Sequence, residues 1–184
     1  MKAVFTGSFD PFTIGHDNVV RRMLPLFDQI VIGVVEGNVH KAHSESAQER
    51  KEAIERVYAA EPKVSVEIYG DLAVDFAKRV GAQYIIKGVR GVKDFEYERE
   101  MADINRSLSG IETLLLPSEP SLAHISSSMV RELRHYGKDV TRYCPSGRDG
   151  EEGVDGVEPK PPRAGEEGGG QQERAPAFQG DQPS

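Results

Sequence analysis

The stretch QIVIGVV at 29–35 constrains the fold more than any other. Five of its seven residues are valine or isoleucine and none is charged. A strand with one face in water alternates apolar and polar residues; this run leaves no face for water and predicts a strand covered on both sides, as in a parallel sheet. KAVFT (2–6), VSVEIY (64–69), QYIIKG (83–88) and ETLLL (112–116) supply further strand-sized apolar segments. Between them lie segments with helical spacing. HDNVVRRMLPLF (16–27) places Val19, Val20, Met23, Leu24 and Phe27 on one face, with Pro25 disturbing its last turn. SAQERKEAIERVYAA (46–60) turns Ala53, Ile54, Val57 and Tyr58 inward and its charge outward. LAVDFAKRV (72–80), capped by Gly81, DFEYEREMADINRSL (94–108) and MVRELRHYG (129–137) complete the set. Strands alternating with helices imply right-handed βαβ units and an α/β fold.

The last forty residues, 145–184, do not share this patterning. They hold nine of the 19 glycines, six of the 11 prolines and nine acidic against four basic residues. Such a composition cannot bury enough surface to offset its ordering entropy. The chain therefore divides into a domain at 1–144 and a disordered acidic tail. The tail carries −5 of the total −7, leaving −2 on the domain. A nearly neutral domain gives no electrostatic case for nucleic acid as a partner. The single cysteine, Cys144, excludes an internal disulfide. Neither a signal peptide nor a membrane span is visible, which predicts a cytoplasmic protein.

Ligands of parallel α/β sheets bind at the carboxyl ends of the strands, which directs attention to the loops at 7–16, 36–45 and 87–94. In the first, GSFDPFTIGH, glycines allow close backbone approach, and the following helix start offers N–H groups and a positive dipole end to a phosphate. His16 can donate to a phosphate oxygen there, with Ser8 and Thr13 as hydroxyl donors. Equally, Thr13 can be a plain helix cap and His16 a solvated first-turn residue. In the third loop Lys87, Arg90 and Lys93 form a local basic cluster, or else a solvated basic turn. In the second, Lys41 lies between His40 and His43, but no regular element fixes those imidazoles as metal ligands, so no protein-held metal is assigned. The serines at 126–128 can cap a helix or donate to a nucleotide.

Together, GSFDPFTIGH, KGVRGVKDFEYE, INR and ISSSMVRE resemble the pantetheine-phosphate adenylyltransferases of bacterial coenzyme A synthesis, from Met1 to about Tyr143. The first motif belongs to a wider nucleotidyltransferase superfamily; the later ones narrow the resemblance. It implies a Rossmann-like parallel sheet with helices on both faces, usually in a homohexamer. It also implies ATP with Mg²⁺ and 4′-phosphopantetheine as substrates, pyrophosphate and dephospho-coenzyme A as products. By the same resemblance Ser8 contacts substrate phosphate and ATP, Phe9 lies beside ATP, and His16 stabilises the transition state. Lys41, Ala73 and Lys87 fall at positions that contact phosphopantetheine. Gly88, Val89, Arg90 and Glu98 fall in ATP-binding positions. So do Leu122, Ala123 and His124, followed by Ile125, Ser126, Ser127 and Ser128. Two departures stand out: Lys87 occupies a position that is commonly arginine, and SLAHISSS lacks an aromatic often found early in that loop. Transfer to another phosphorylated acceptor, or a nucleotide-binding protein without catalysis, are the competing readings.

Overall fold

Five parallel strands form one sheet in the order β3-β2-β1-β4-β5. The strands are β1 (Lys2–Gly7), β2 (Gln29–Val35), β3 (Val64–Tyr69), β4 (Tyr84–Val89) and β5 (Glu112–Pro117). The structure is a computed structural model that describes residues 1–37 and 44–146. The expected tail falls almost wholly outside the described residues. Helices α1 (Ile14–Met23), α2 (Ala47–Val57), α3 (Ala73–Arg79), α4 (Val92–Ser109) and α5 (Ser127–His135) alternate with or follow the strands. No described helix is long and apolar enough to cross a membrane.

The two-sided burial read from QIVIGVV is observed. Ile30, Ile32 and Val34 of β2 join Ala3, Phe5 and Ile86 in a core built with Val19, Val20 and Met23 of α1 and Ile54 of α2. Val31 turns the other way, joining Val4, Ile85 and the α3 residues Val74, Phe76 and Ala77. This second core needs a glycine at one point. A Cβ on Gly33 would lie 2.5 Å from the Phe76 ring, which stacks on Tyr69 with centroids 4.7 Å apart.

Helix boundaries differ from the sequence reading in ways that bear on the site. Thr13, in extended backbone, is the N-cap of α1, so the helix opens at Ile14 and His16 is its third residue. Pro25 ends α1 at Met23 and turns Leu24–Leu26 into a 3-10 turn. Helix α4 starts at Val92 and takes Lys93 out of the basic loop. Helix α2 is not charged on every outward position: Arg50 is 1% exposed, and with Ile54 and Tyr58 it forms a buried stripe at intervals of four.

Because β1 pairs with both β2 and β4, the chain's direction of progress across the sheet reverses there. That reversal opens a crevice above the carboxyl ends of β1 and β4.

Candidate active site

A cleft of about 370 Å³ occupies this crevice. Ser8, Phe9, His16, Lys87, Gly88, Arg90 and Glu98 line it from the β1 and β4 side, and Leu122, Ile125 and the serines 126–128 from the α5 side. Two helices of adequate length, α1 and α5, begin at its wall. The first N–H groups of each have no backbone carbonyl partner within the helix, giving a locally positive surface without formal charge.

Thr13 is the helix cap, but His16 is not a solvated first-turn residue: it packs among aromatic rings. Its Nδ1 accepts the backbone N–H of Thr13 at 3.0 Å, with the Thr13 hydroxyl at 3.1 Å. The imidazole thus caps its own helix, and an occupied Nδ1 leaves the ring proton on Nε2. Phe5, Phe9 and Phe12 surround the ring with centroids 6.3, 5.1 and 5.4 Å away. Burial among them, with the nearby Arg90 charge as a lesser cause, pushes the His16 pKa down to about 4. At neutral pH the site therefore holds a neutral imidazole fixed as an Nε2–H donor.

The cations are restrained by neighbours. Lys87 Nζ donates to the Thr6 carbonyl at 3.2 Å and lies 3.8 Å from the Glu98 carboxylate. Lys87, read from its basic loop, and Glu98, assigned by the resemblance, thus meet across the strand-to-helix connection. Arg90 is more open and pairs with Asp94 through Nε at 2.9 Å. Each serine of 126–128 also has a structural partner. Ser126 Oγ caps α5 by accepting the Met129 N–H at 3.1 Å, Ser127 Oγ donates to the Pro11 carbonyl at 2.8 Å, and Ser128 Oγ accepts from Arg131 at 3.1 Å. What they offer a ligand includes the backbone of the helix start.

Phe9 has φ of 49°, a left-handed conformation rare for a bulky side chain. A Cβ on Gly7 would lie 2.9 Å from its ring, so the glycine makes room for this turn. Four assigned residues do not line the cleft. Val89 is buried, and its carbonyl accepts the Ser118 N–H. Ala73 begins α3, and Ala123 borders a shallow depression beside Arg90 and Lys93. His124 is likewise not part of the lining. Lys41, with His40 and His43, lies outside the described residues.

Three residues of the site's framework were not singled out by the sequence. Asp10, 1% exposed, accepts the Ser44 N–H at 2.9 Å and the Ser44 hydroxyl. Arg131 donates to the Asp10 carbonyl. Arg50 donates to the Ser8 carbonyl from beneath the loop. The stripe Arg50, Ile54, Tyr58 was the available signal for the last of these.

A Cytidylyltransferase-like family model matches residues 4–133. The phosphopantetheine adenylyltransferase of Phocaeicola vulgatus is 51% identical over 146 residues, which cover 79% of this chain and 96% of that protein. That of Kocuria rhizophila is 46% identical over 145 residues, covering 78% and 92% respectively. A crystal structure of a bifunctional NMN adenylyltransferase/ADP ribose pyrophosphatase from Francisella tularensis, complexed with AMP and a manganese ion, shares the fold. It gives a TM-score of 0.58 at 16% identity over 80% of this chain, which spans 45% of that longer chain.

Proposed function

Since this chain belongs to the phosphopantetheine adenylyltransferases, nucleotidyltransferases of the cytidylyltransferase-like family, we propose that its cleft joins the adenylyl group of ATP to 4′-phosphopantetheine. The products are dephospho-coenzyme A and pyrophosphate. The observation that carries the reading is the convergence of His16, Lys87, Arg90 and two helix N-termini on one cleft.

The acceptor phosphate is an anion at neutral pH and needs no base to activate it. One of its oxygens attacks the α-phosphorus of ATP in line; the new P–O bond forms as the bond to the β-phosphate oxygen breaks. The protein's task is alignment and stabilisation of charge on the equatorial oxygens. His16 supplies a preset Nε2–H donor, and Ser8 and Lys87 hold the acceptor phosphate. Arg90 and the start of α5 hold the nucleotide. ATP enters as its magnesium complex: a hard cation bound to phosphate oxygens and water is consistent with cleft carboxylates that already have partners, Asp94 on Arg90 and Glu98 near Lys87. Lys41, assigned to the acceptor phosphate, stays part of the proposal. We assign the reaction to the cytoplasm, where ATP is supplied.

The catalytic unit in this reading is a homohexamer. Phe95, Tyr97, Ile104 and Leu108 of α4 are each at least 45% exposed, an unusual apolar content for a surface helix and suited to self-association. Sedimentation of the purified protein tests this; a monomer refutes it.

The activity is tested by incubation with ATP, Mg²⁺ and 4′-phosphopantetheine and mass analysis of the product, with nicotinamide mononucleotide as a competing acceptor. Dephospho-coenzyme A is the expected product. Adenylylation of the competitor alone refutes the proposal.

A further inference from the structure

The Arg50 guanidinium is as deeply buried as the Asp10 carboxylate, and the reaction as proposed gives it nothing to do. At 1% exposure it cannot touch a ligand. Its N–H groups go to four backbone carbonyls instead: Ser8, Val35 at 3.0 Å, Glu45 at 3.2 Å and Ser46 at 3.3 Å. These belong to the loop after β1, the end of β2 and the entry to α2. One planar fork therefore ties together three segments that meet on the β2 side of the crevice.

The Ser8 bond matters most for the chemistry. The Ser8 carbonyl and the Phe9 N–H share one peptide plane, with the two groups opposed. Fixing the carbonyl on Arg50 fixes the N–H pointing away from Arg50. That N–H donates to no acceptor among the described residues, although Phe9 is 3% exposed and lines the cleft. Phe9 also sits in the left-handed region, which a bulky non-glycine residue rarely adopts. Such a conformation persists only where its surroundings over-determine it.

We propose that Arg50 is a positioning residue: it locks the Ser8–Phe9 peptide so that the Phe9 N–H and the Ser8 hydroxyl are preset where the acceptor's phosphate meets the α-phosphate of ATP. This rests on the reading that the cleft takes a phosphorylated acceptor on the β1–β2 side. The nucleotide's remaining contacts, built on β4 and α5, receive no hydrogen bond from Arg50, so the acceptor loses much more than ATP does. Lysine at position 50 keeps the charge but cannot serve four carbonyls in three directions.

The test titrates wild type, Arg50→Lys and Arg50→Ala calorimetrically with 4′-phosphopantetheine, inorganic phosphate and ATP, with circular dichroism as the check of folding. In Arg50→Ala the acceptor and inorganic phosphate bind about tenfold or more weakly, equivalent to about 1.4 kcal/mol, while ATP stays within about threefold. Millimolar guanidinium ion restores acceptor binding to Arg50→Ala and does nothing for Arg50→Lys, whose side chain fills the space. Equal loss for all ligands, or no loss in a folded variant, overturns the proposal. Should Arg50→Ala not fold, Arg50→Lys decides alone by the same split between acceptor and ATP. Wild type that binds inorganic phosphate but not 4′-phosphopantetheine refutes the acceptor assignment instead, and the phosphate titrations then judge Arg50.

Discussion

Lowering the pH probes His16 directly, because folding holds its pKa near 4 against 6.5 for a free imidazole. Between those values the unfolded chain binds a proton at this position and the folded chain does not. Stability therefore falls as pH drops from 6.5 toward 4, and His16's contribution is fully present above that window. At pH 5 the unfolded form is about thirtyfold more protonated than not, the folded form about tenfold less, which gives about 2 kcal/mol lost relative to neutral pH. The ring is open to the cleft on one side, so this figure is an upper limit. Other groups titrate in the same range, so the quantity to measure is a difference. Urea unfolding of wild type and His16→Gln is compared at several pH values from 7.5 to 5, and the gap between them narrows as the acid range is entered. Titration of the His16 ring by NMR reports the pKa itself. A ring that titrates near 6.5 in the free protein refutes the picture of a neutral, preset donor.

Other outcomes follow from the same geometry. His16→Ala lowers kcat by about 10²- to 10³-fold, the usual loss for a preorganised donor, while ATP affinity changes much less; near-normal turnover removes His16 from the mechanism. Lys87→Arg restores a bidentate fork at the acceptor phosphate and lowers the KM for 4′-phosphopantetheine, and an unchanged or raised KM counts against that position's role. Gly33→Ala destabilises by about 1–3 kcal/mol in chemical denaturation, because its methyl meets the Phe76 ring, and Phe76→Leu recovers part of the loss. Tyr58→Phe removes a hydrogen bond of 2.7 Å to Asp17 and costs about 1 kcal/mol by the same measurement.

Much of this architecture is legible in residue patterns. β-Branched runs mark β2 and β4, and glycines after β1 mark the loop that lines the cleft. The motifs at 5–16 and 87–98 then assign most of the cleft. What escapes is set by neighbours distant in sequence. Thr13 is legible as a helix cap, but nothing in the motif says that Phe5, Phe9 and Phe12 close around the His16 ring. Arg50 lies in the charged string AQERKEAIERV, where its solvation looks certain until the carbonyls of Ser8 and Val35 close over it. Val89 and Ser126 show the converse. The resemblance assigns both to ATP, yet Val89 turns its side chain into the interior and Ser126 spends its hydroxyl on a helix cap.

Ser127 and Arg131 of the last long helix bond to the carbonyls of Pro11 and Asp10, near the chain's beginning. During synthesis, then, the first strand and its loop emerge from the ribosome more than a hundred residues ahead of the groups that finish their wall. A nascent chain halted before residue 127 holds the residues of all five strands but lacks the α5 wall of the cleft.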